Sequence, residues 1–421
     1  MDAPLRPRTW APVAALFGRR SPICEGCHHQ AQSMKVLIVH NRYRKAIPSG
    51  ENSVVDAEIA ILHTSGLDVP TYLRSSDEIA EMSGAQKVAV ALGPIRSSQG
   101  VREFTELLDS EKPDVVHIHN VYPLISPWII RTAHKAGIPI VMTVHNFRLD
   151  CVAGTYLRDG QVCTDCTSTS FAMPAITHGC YRGSSIQSVP MVMSRSIHRS
   201  TWQLVDRFIA LTGFHQEFLV RMGIAPDRIV VRPTSVTDPG AGTAPGKDVL
   251  FVGRLGAEKG VDVLLEAWRI SGAEQFGRTL HIVGDGELRE AADRAARMDP
   301  SIRIHGMQDS AHVAELMDQC GPVVIPSTCF EGLPLVLAEA IARGRPIIAS
   351  DIGGLGRTVT DDFGWKVPPS NAVALAATIG ALTDEQIAQR GAAARERFLK
   401  EFDQAVTTPQ LIGIYTELTS N

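Results

Sequence analysis

The residues most able to do chemistry follow short apolar runs. After 249–252 comes Gly253-Arg254-Leu255-Gly256-Ala257-Glu258-Lys259-Gly260. Glycines let a backbone approach a ligand closely, and Arg254 and Lys259 place two cations at a strand-to-helix turn, where phosphate oxygens suit them. Read alone, the same residues also make a solvated loop. After 323–325 comes Pro326-Ser-Thr-Cys-Phe-Glu331-Gly332-Leu333-Pro334-Leu335, and Glu339 lies eight residues beyond Glu331. Pro334 suits the first helical position. The amides of Gly332, Leu333 and Leu335 are then helix-terminal donors on which a pyrophosphate could rest. Carboxylates flanking such a turn repel phosphate and suit hydroxyls, one on a sugar and one on a ribose. The plainer alternative is a dipole partner at Glu331 and a solvated residue at Glu339.

Two further apolar runs end in His119-Asn120 and His145-Asn146. At strand ends both pairs are expected to face a cleft, or else to satisfy local backbone. Residues 150–184 carry Cys151, Cys163, Cys166 and Cys180, spaced C-x11-C-x2-C-x13-C. That spacing fits a structural zinc site, two disulfides or plain buried thiols. Cys24-Glu-Gly-Cys27-His28-His29 offers a second metal-type or haem-type string, in a Pro- and Arg-rich leader without period.

These residues need elements to position them. From Met34 onward, strands are expected at 36–40, 115–119, 140–145 and 208–211, with helices between. After a Gly/Pro/Thr-rich linker at 238–246 the rhythm restarts, with strands at 249–252, 280–283, 302–304, 323–325 and 347–349. This predicts an α/β protein of two Rossmann-like doubly wound domains facing a cleft. The divisions are a disordered extension 1–33, a first domain 34–237 holding the Cys-rich insert 150–184, a second domain 238–400, and a C-terminal helix 401–421 crossing back to the first. Residues 186–205 mix apolar residues with Arg195, His198 and Arg199; they fit a core helix or a segment lying on an anionic membrane.

The chain has 421 residues, 44 % of them hydrophobic, and a net charge of −4. That size exceeds a single core, and that charge argues against a nucleic-acid binder. Residues 236–421 alone carry −8, so the front half is mildly basic. No apolar run reaches the roughly 18 residues of a membrane span, and no export signal is evident. The eight cysteines are therefore expected in a reducing, cytoplasmic setting. Gly284-x-Gly286 is followed by Arg289 where a dinucleotide fingerprint has glycine, and Gly246-Lys247 by Asp248 where a P-loop has Ser or Thr.

Together, Val252-Gly-Arg-Leu-x-x-Glu-Lys-Gly260 and Glu331-x7-Glu339 resemble the retaining glycosyltransferases of family 4 (group 1), with the GT-B fold, over about residues 34–421. Within that family the chain is similar to bacterial polysaccharide glycosyltransferases with a Cys-rich insert. The resemblance implies sugar transfer from a UDP- or GDP-sugar to a glycan or lipid-linked acceptor. It implies that Arg254 and Lys259 hold the diphosphate, Glu331 the donor-sugar hydroxyls and Glu339 the ribose, with His145 beside the sugar. Gly50, Gly253, Gly284, Gly306, Gly332, Leu333 and Leu335 would line the donor, and His119, Asn120 and Asn146 the acceptor side. No metal or other cofactor is expected for catalysis, and contact with the inner face of a membrane would suit a lipid-linked acceptor. A nucleotide-sugar epimerase or a non-catalytic nucleotide-sugar scaffold would share the architecture.

Overall fold

The apolar runs fold as parallel strands, because a run buried on both faces can alternate only with covering helices. A computed structural model describes residues 34–46, 49–167, 169–240 and 242–420. The candidate ligands Cys24, Cys27, His28 and His29 lie outside them.

The first lobe contains β1 (Val36–Arg42), β2 (Thr71–Ser75), β3 (Val115–Asn120) and β4 (Ile140–Val144). A small antiparallel hairpin, β5 (Leu157–Arg158) and β6 (Gln161–Val162), interrupts it before β7 (Arg207–Ala210) and β8 (Ile229–Val231). Its parallel sheet runs β2-β1-β3-β4-β7-β8. The second lobe is β9 (Val249–Val252), β10 (Leu280–Val283), β11 (Ile302–Gly306), β12 (Val323–Ile325), β13 (Ile347–Ser350) and β14 (Gly364–Val367). Its order is β11-β10-β9-β12-β13-β14, again all parallel. The expected fold class therefore holds for both lobes.

The strand orders locate the site. In an open α/β sheet, the loops at strand carboxyl ends diverge where the order reverses and leave a crevice. In the first lobe that point lies between β1 and β3, and in the second between β9 and β12. The loops after these four strands carry most of the residues singled out above.

The helices that matter to the site are α1 (Gly50–Thr64), α2 (Trp128–Lys135), α3 (Ser185–Ile197) and α4 (Gly213–Arg221) in the first lobe. The second lobe supplies α5 (Val261–Ser271), α6 (Leu335–Ala342) and α7 (Gly353–Thr358). Two long helices follow, α8 (Asp384–Glu401) and α9 (Gln404–Thr419). Leu411, Ile414 and Tyr415 of α9 bury against Val36, Ile38, Val115 and Ile209 of the first lobe. The C-terminal helix thus returns to the first sheet.

Three edge strands, β2, β8 and β14, are absent from the sequence reading. Each lies at the rim of its sheet and keeps half-exposed or exposed residues, so none shows the uninterrupted apolar run of an inner strand. Pro334 is corrected by one position: it is the extended N-cap of α6, and Leu335 is the first helical residue.

Candidate active site

The β9 loop ends in a short 3-10 turn, Ala257–Lys259, closed by Gly260 with φ +68°. A Cβ on Gly260 would lie 2.0 Å from the Pro326 carbonyl oxygen. Glycine is therefore what lets the loops after β9 and β12 touch at the switch point. Across that contact Lys259 Nζ donates to Glu331 Oε1 (2.5 Å), and Ser327 Oγ donates to the same oxygen (2.9 Å). Burial pulls the Lys259 ammonium down, but the charge and hydrogen bond of Glu331 outweigh it and raise the pKa above its ordinary value. Arg254 pairs with Glu258 yet remains 56 % exposed, which leaves it room to turn toward a ligand.

The turn into α6 is held from behind. The Gly354 amide of α7 donates to the Glu331 carbonyl (2.8 Å), and a Cβ on Gly354 would lie 1.7 Å from the Gly332 carbonyl oxygen. Pro334 offers no side-chain cap to α6, so the amides before and at the start of that helix point outward as donors. Glu339 is half-buried one turn further on; burial raises its carboxyl pKa, against the lowering effect of Arg343. Gly284 adopts φ +136°, and a Cβ there would sit 1.9 Å from the Gly253 carbonyl oxygen. Gly284 and Gly253 thus fix each other's loops, and the Gly284 amide donates to the Gly306 carbonyl (2.8 Å).

The first lobe meets this wall with imidazoles. His119 Nδ1 and His145 Nε2 share a hydrogen bond (2.9 Å), and the rings stack with centroids 5.2 Å apart. Behind them Glu58 Oε1 lies 3.2 Å from both His119 Nε2 and His117 Nδ1, and Arg232 lies 3.3 Å from its other oxygen. Burial holds the His145 pKa well below the usual imidazole range and pushes His40 and His117 down to about 4. The buried His215 of α4 goes down to about 3 for the same reason, and neither of its ring nitrogens has a hydrogen-bond partner.

The lobes meet at two glycines. A Cβ on Gly332 would strike His215 Cε1 (2.3 Å) and the His145 carbonyl oxygen (2.9 Å). A Cβ on Gly50, the first residue of α1, would lie 3.4 Å from Leu335 Cβ. The N-termini of α1 and α6 therefore face each other across the crevice, with Lys259, Glu331 and His145 close by.

The structure brings Gly50, His145, Lys259, Glu331, Gly332, Leu333 and Leu335 together here, with Arg254, Gly253, Gly284, Gly306 and Glu339 on the adjoining loops and helix. Asn120 is engaged by the frame of the lobe. Its amide donates to the Asn41 and Tyr122 carbonyls, and its oxygen accepts the Tyr122 amide. It is a strut that ties β3 to β1. Asn146 donates to Glu51 Oε2 (3.3 Å), as does the Tyr43 hydroxyl (3.3 Å). Burial raises the Glu51 pKa to about 7, opposed by Arg148 and by those two hydrogen bonds. The sequence reading missed Glu51, Glu58, His215 and Ser327. Glu58 was legible in principle: with Val55 and Leu62 it lies on the buried stripe of α1, where a carboxylate needs a partner.

Residues 186–205 are a core helix on one side: Met191, Val192, Arg195 and Trp202 are buried. Arg195 is turned inward onto Asp150 (2.6 Å) and the Cys166 carbonyl (2.8 Å). Ile186, Val189, Met193 and Ile197 remain exposed along the other side.

Residues 246–385 match the family model for glycosyl transferases group 1, and residues 51–234 that for a glycosyl transferase 4-like domain. Glycogen synthase of Mycobacterium tuberculosis is 28 % identical, with 89 % of this chain and 93 % of that protein covered. Phosphatidyl-myo-inositol mannosyltransferase of Mycobacterium leprae is 26 % identical, with 73 % and 74 % covered. Among solved structures, HepE of Anabaena in complex with UDP superposes with a TM-score of 0.63 at 16 % identity, covering 91 % of this chain and all of that one.

Proposed function

Because the chain belongs to the group 1, family 4 glycosyltransferases and has the GT-B fold, we propose that it moves a sugar from a UDP- or GDP-sugar to a glycan or lipid-linked acceptor, retaining the anomeric configuration. The carrying observation is the opposition of the α1 and α6 N-termini across the crevice, with the Lys259–Glu331 pair beside them.

On this reading the diphosphate rests on the amides of Gly332, Leu333 and Leu335, with Lys259 and Arg254 supplying positive charge. Gly50 brings the dipole of α1 to the same phosphates. Glu331, held by Ser327 and Lys259, accepts from donor-sugar hydroxyls, and Glu339 from the ribose. His145, kept neutral by burial, bonds the sugar from the opposite wall. The acceptor hydroxyl attacks the anomeric carbon on the face from which the diphosphate departs. The leaving phosphate oxygen takes the hydroxyl proton as the glycosidic bond forms, so no protein base is required. The cations and amides do the charge stabilisation, which makes the reaction independent of a divalent ion.

A cavity of about 520 Å³ suits the acceptor; the half-buried Phe214 and Phe330 on its wall offer faces to a sugar, and Arg199 and Arg221 charge to a phosphate. The mannosyltransferase relatives support a lipid-linked acceptor. Ile186, Val189, Met193 and Ile197 on α3 form the face that would rest on an anionic inner membrane surface. No described helix is long and apolar enough to cross a membrane. A role in cell-surface polysaccharide synthesis follows from this reading.

Incubation with UDP- and GDP-sugars and candidate acceptors, read by proton NMR with and without EDTA, tests the proposal. The expected product keeps the donor's anomeric configuration and forms equally in EDTA. An inverted product or a metal requirement contradicts the mechanism, epimerised monosaccharide without acceptor favours the epimerase, and binding without turnover favours the scaffold.

A further inference from the structure

We propose that Cys151, Cys163, Cys166 and Cys180 bind one structural zinc ion that staples the insert between β4 and α3. The insert is a long excursion with little regular structure. It contains two strands of two residues each and a helix of five residues, Met173–Thr177. A hairpin that short does not hold itself together in water, and excursions without their own core are commonly fixed by a metal or a disulfide. The four cysteines all carry free thiols. They come from three stretches of the insert, yet line a single small cavity of about 20 Å³, together with Tyr156 and Ala175.

The chain path brings the cysteine turns to one cavity. The hairpin turn, with Asp159 at φ +51° and Gly160 at φ +74°, folds the chain back so that Cys163-x2-Cys166 arrives opposite Cys151. Cys180 follows the short helix, whose Ala175 lines the cavity beside Cys166. A zinc tetrathiolate carries excess negative charge. Arg195 and Arg158 lie within electrostatic reach of Cys166 and Cys180 and would offset it.

No three of the four sulfurs lie within 4.8 Å of one another; among the described residues only Glu58, His117 and His119 do. That trio is occupied differently, since Arg232 is 3.3 Å from Glu58 and Tyr415 2.7 Å from His117. A cation already neutralises the carboxylate there. Zinc would draw the two cysteine turns together around the cavity. Tyr156 stands 5.6 Å from Phe330 across the proposed acceptor cavity, so the staple would set one wall of that cavity.

The test is metal analysis of the full chain, purified without chelator, alongside the Cys24→Ser/Cys27→Ser variant, which removes the leader's competing thiols. The expected result is about one zinc per chain retained in that variant. A mercurial reagent should release it in step with thiol modification, and a lowered Tm should follow. Cys163→Ser/Cys166→Ser should lose the zinc; should that variant not fold, the single Cys180→Ser variant and the mercurial titration still decide. Eight free thiols with no zinc after growth in zinc-supplemented medium would overturn the proposal. So would four fewer titratable thiols with no metal, the signature of two disulfides.

Discussion

At the β9/β12 switch point the groups facing the crevice are ion pairs, Lys259 with Glu331 and Arg254 with Glu258. At the ends of β3 and β4, beside the β1/β3 switch point, they are imidazoles, His119 and His145, with the Glu58–Arg232 pair set behind them. Both walls are strand ends of parallel sheets, so the architecture does not dictate the difference. Burial and ion pairing do. Arg254 is more than half exposed and Glu331 holds the Lys259 ammonium charged, whereas His40, His117, His145 and His215 are desolvated and held neutral. A charged wall suits a diphosphate and a neutral, hydrogen-bonding wall suits sugar hydroxyls, which is the division of labour the proposed transfer requires.

The largest test of this contrast lies on the charged wall. Lys259→Ala should lower turnover by roughly 10²–10³, the usual effect of losing one strong donor at a developing charge, with the thermal transition preserved. Turnover near wild type would break the contrast. Gly332→Ala should come next, because its Cβ would meet the His145 carbonyl oxygen and His215 and wedge the walls apart. A displacement of about 1 Å can cost about 10² in rate, so stopped-assay kcat/KM should fall by about that much.

On the neutral wall, Glu58→Gln should lower kcat about tenfold while leaving the donor KM unchanged, because one charged hydrogen bond is worth about 1.5–3 kcal/mol. A raised donor KM instead would place Glu58's influence on the charged wall. Glu339→Ala should show the reverse split, a donor KM raised about tenfold with kcat little altered.

The smallest effect concerns stability against pH. His40, His117 and His215 have folded pKa values pushed down to about 4, 4 and 3 by burial. The unfolded chain therefore binds more protons below about pH 6.5, and their stabilisation is complete above that pH and lost as pH falls toward 4. Glu51, raised to about 7 by burial, acts in the opposite sense, favouring the fold as pH drops from 7 to about 4.5. Four buried imidazoles, His145 among them, against the raised carboxyls of Glu51 and Glu339 give a lower Tm at pH 5 than at pH 7.5, by about 5 °C or more. A higher Tm at pH 5 would mean that the imidazoles are charged in the folded chain.

The inner strands and the charged wall were readable in the sequence because both leave local marks. An apolar run such as 280–283 can be little else but a buried strand, and a glycine-flanked Arg254 and Lys259 after a strand announce an anion. The neutral wall was only half readable. His119 and His145 sit at strand ends, where position alone flags them. Glu58 and His215 lie inside helices α1 and α4 and gain their meaning from neighbours distant in sequence, His117, Arg232 and Gly332. Ser327 is one serine in a loop until Glu331 folds back onto it. The edge strands β2, β8 and β14 escaped for a related reason, since their pairing is decided by the sheet they join.

The most direct measurement is calorimetric titration of UDP and of GDP into the wild-type chain and into Lys259→Ala. At least one nucleotide should bind the wild type, and its affinity for Lys259→Ala should fall by about tenfold or more, as expected for one charged contact to a phosphate. Equal affinity for both proteins, or binding of neither nucleotide, would contradict a diphosphate seated between the β9 loop and α6.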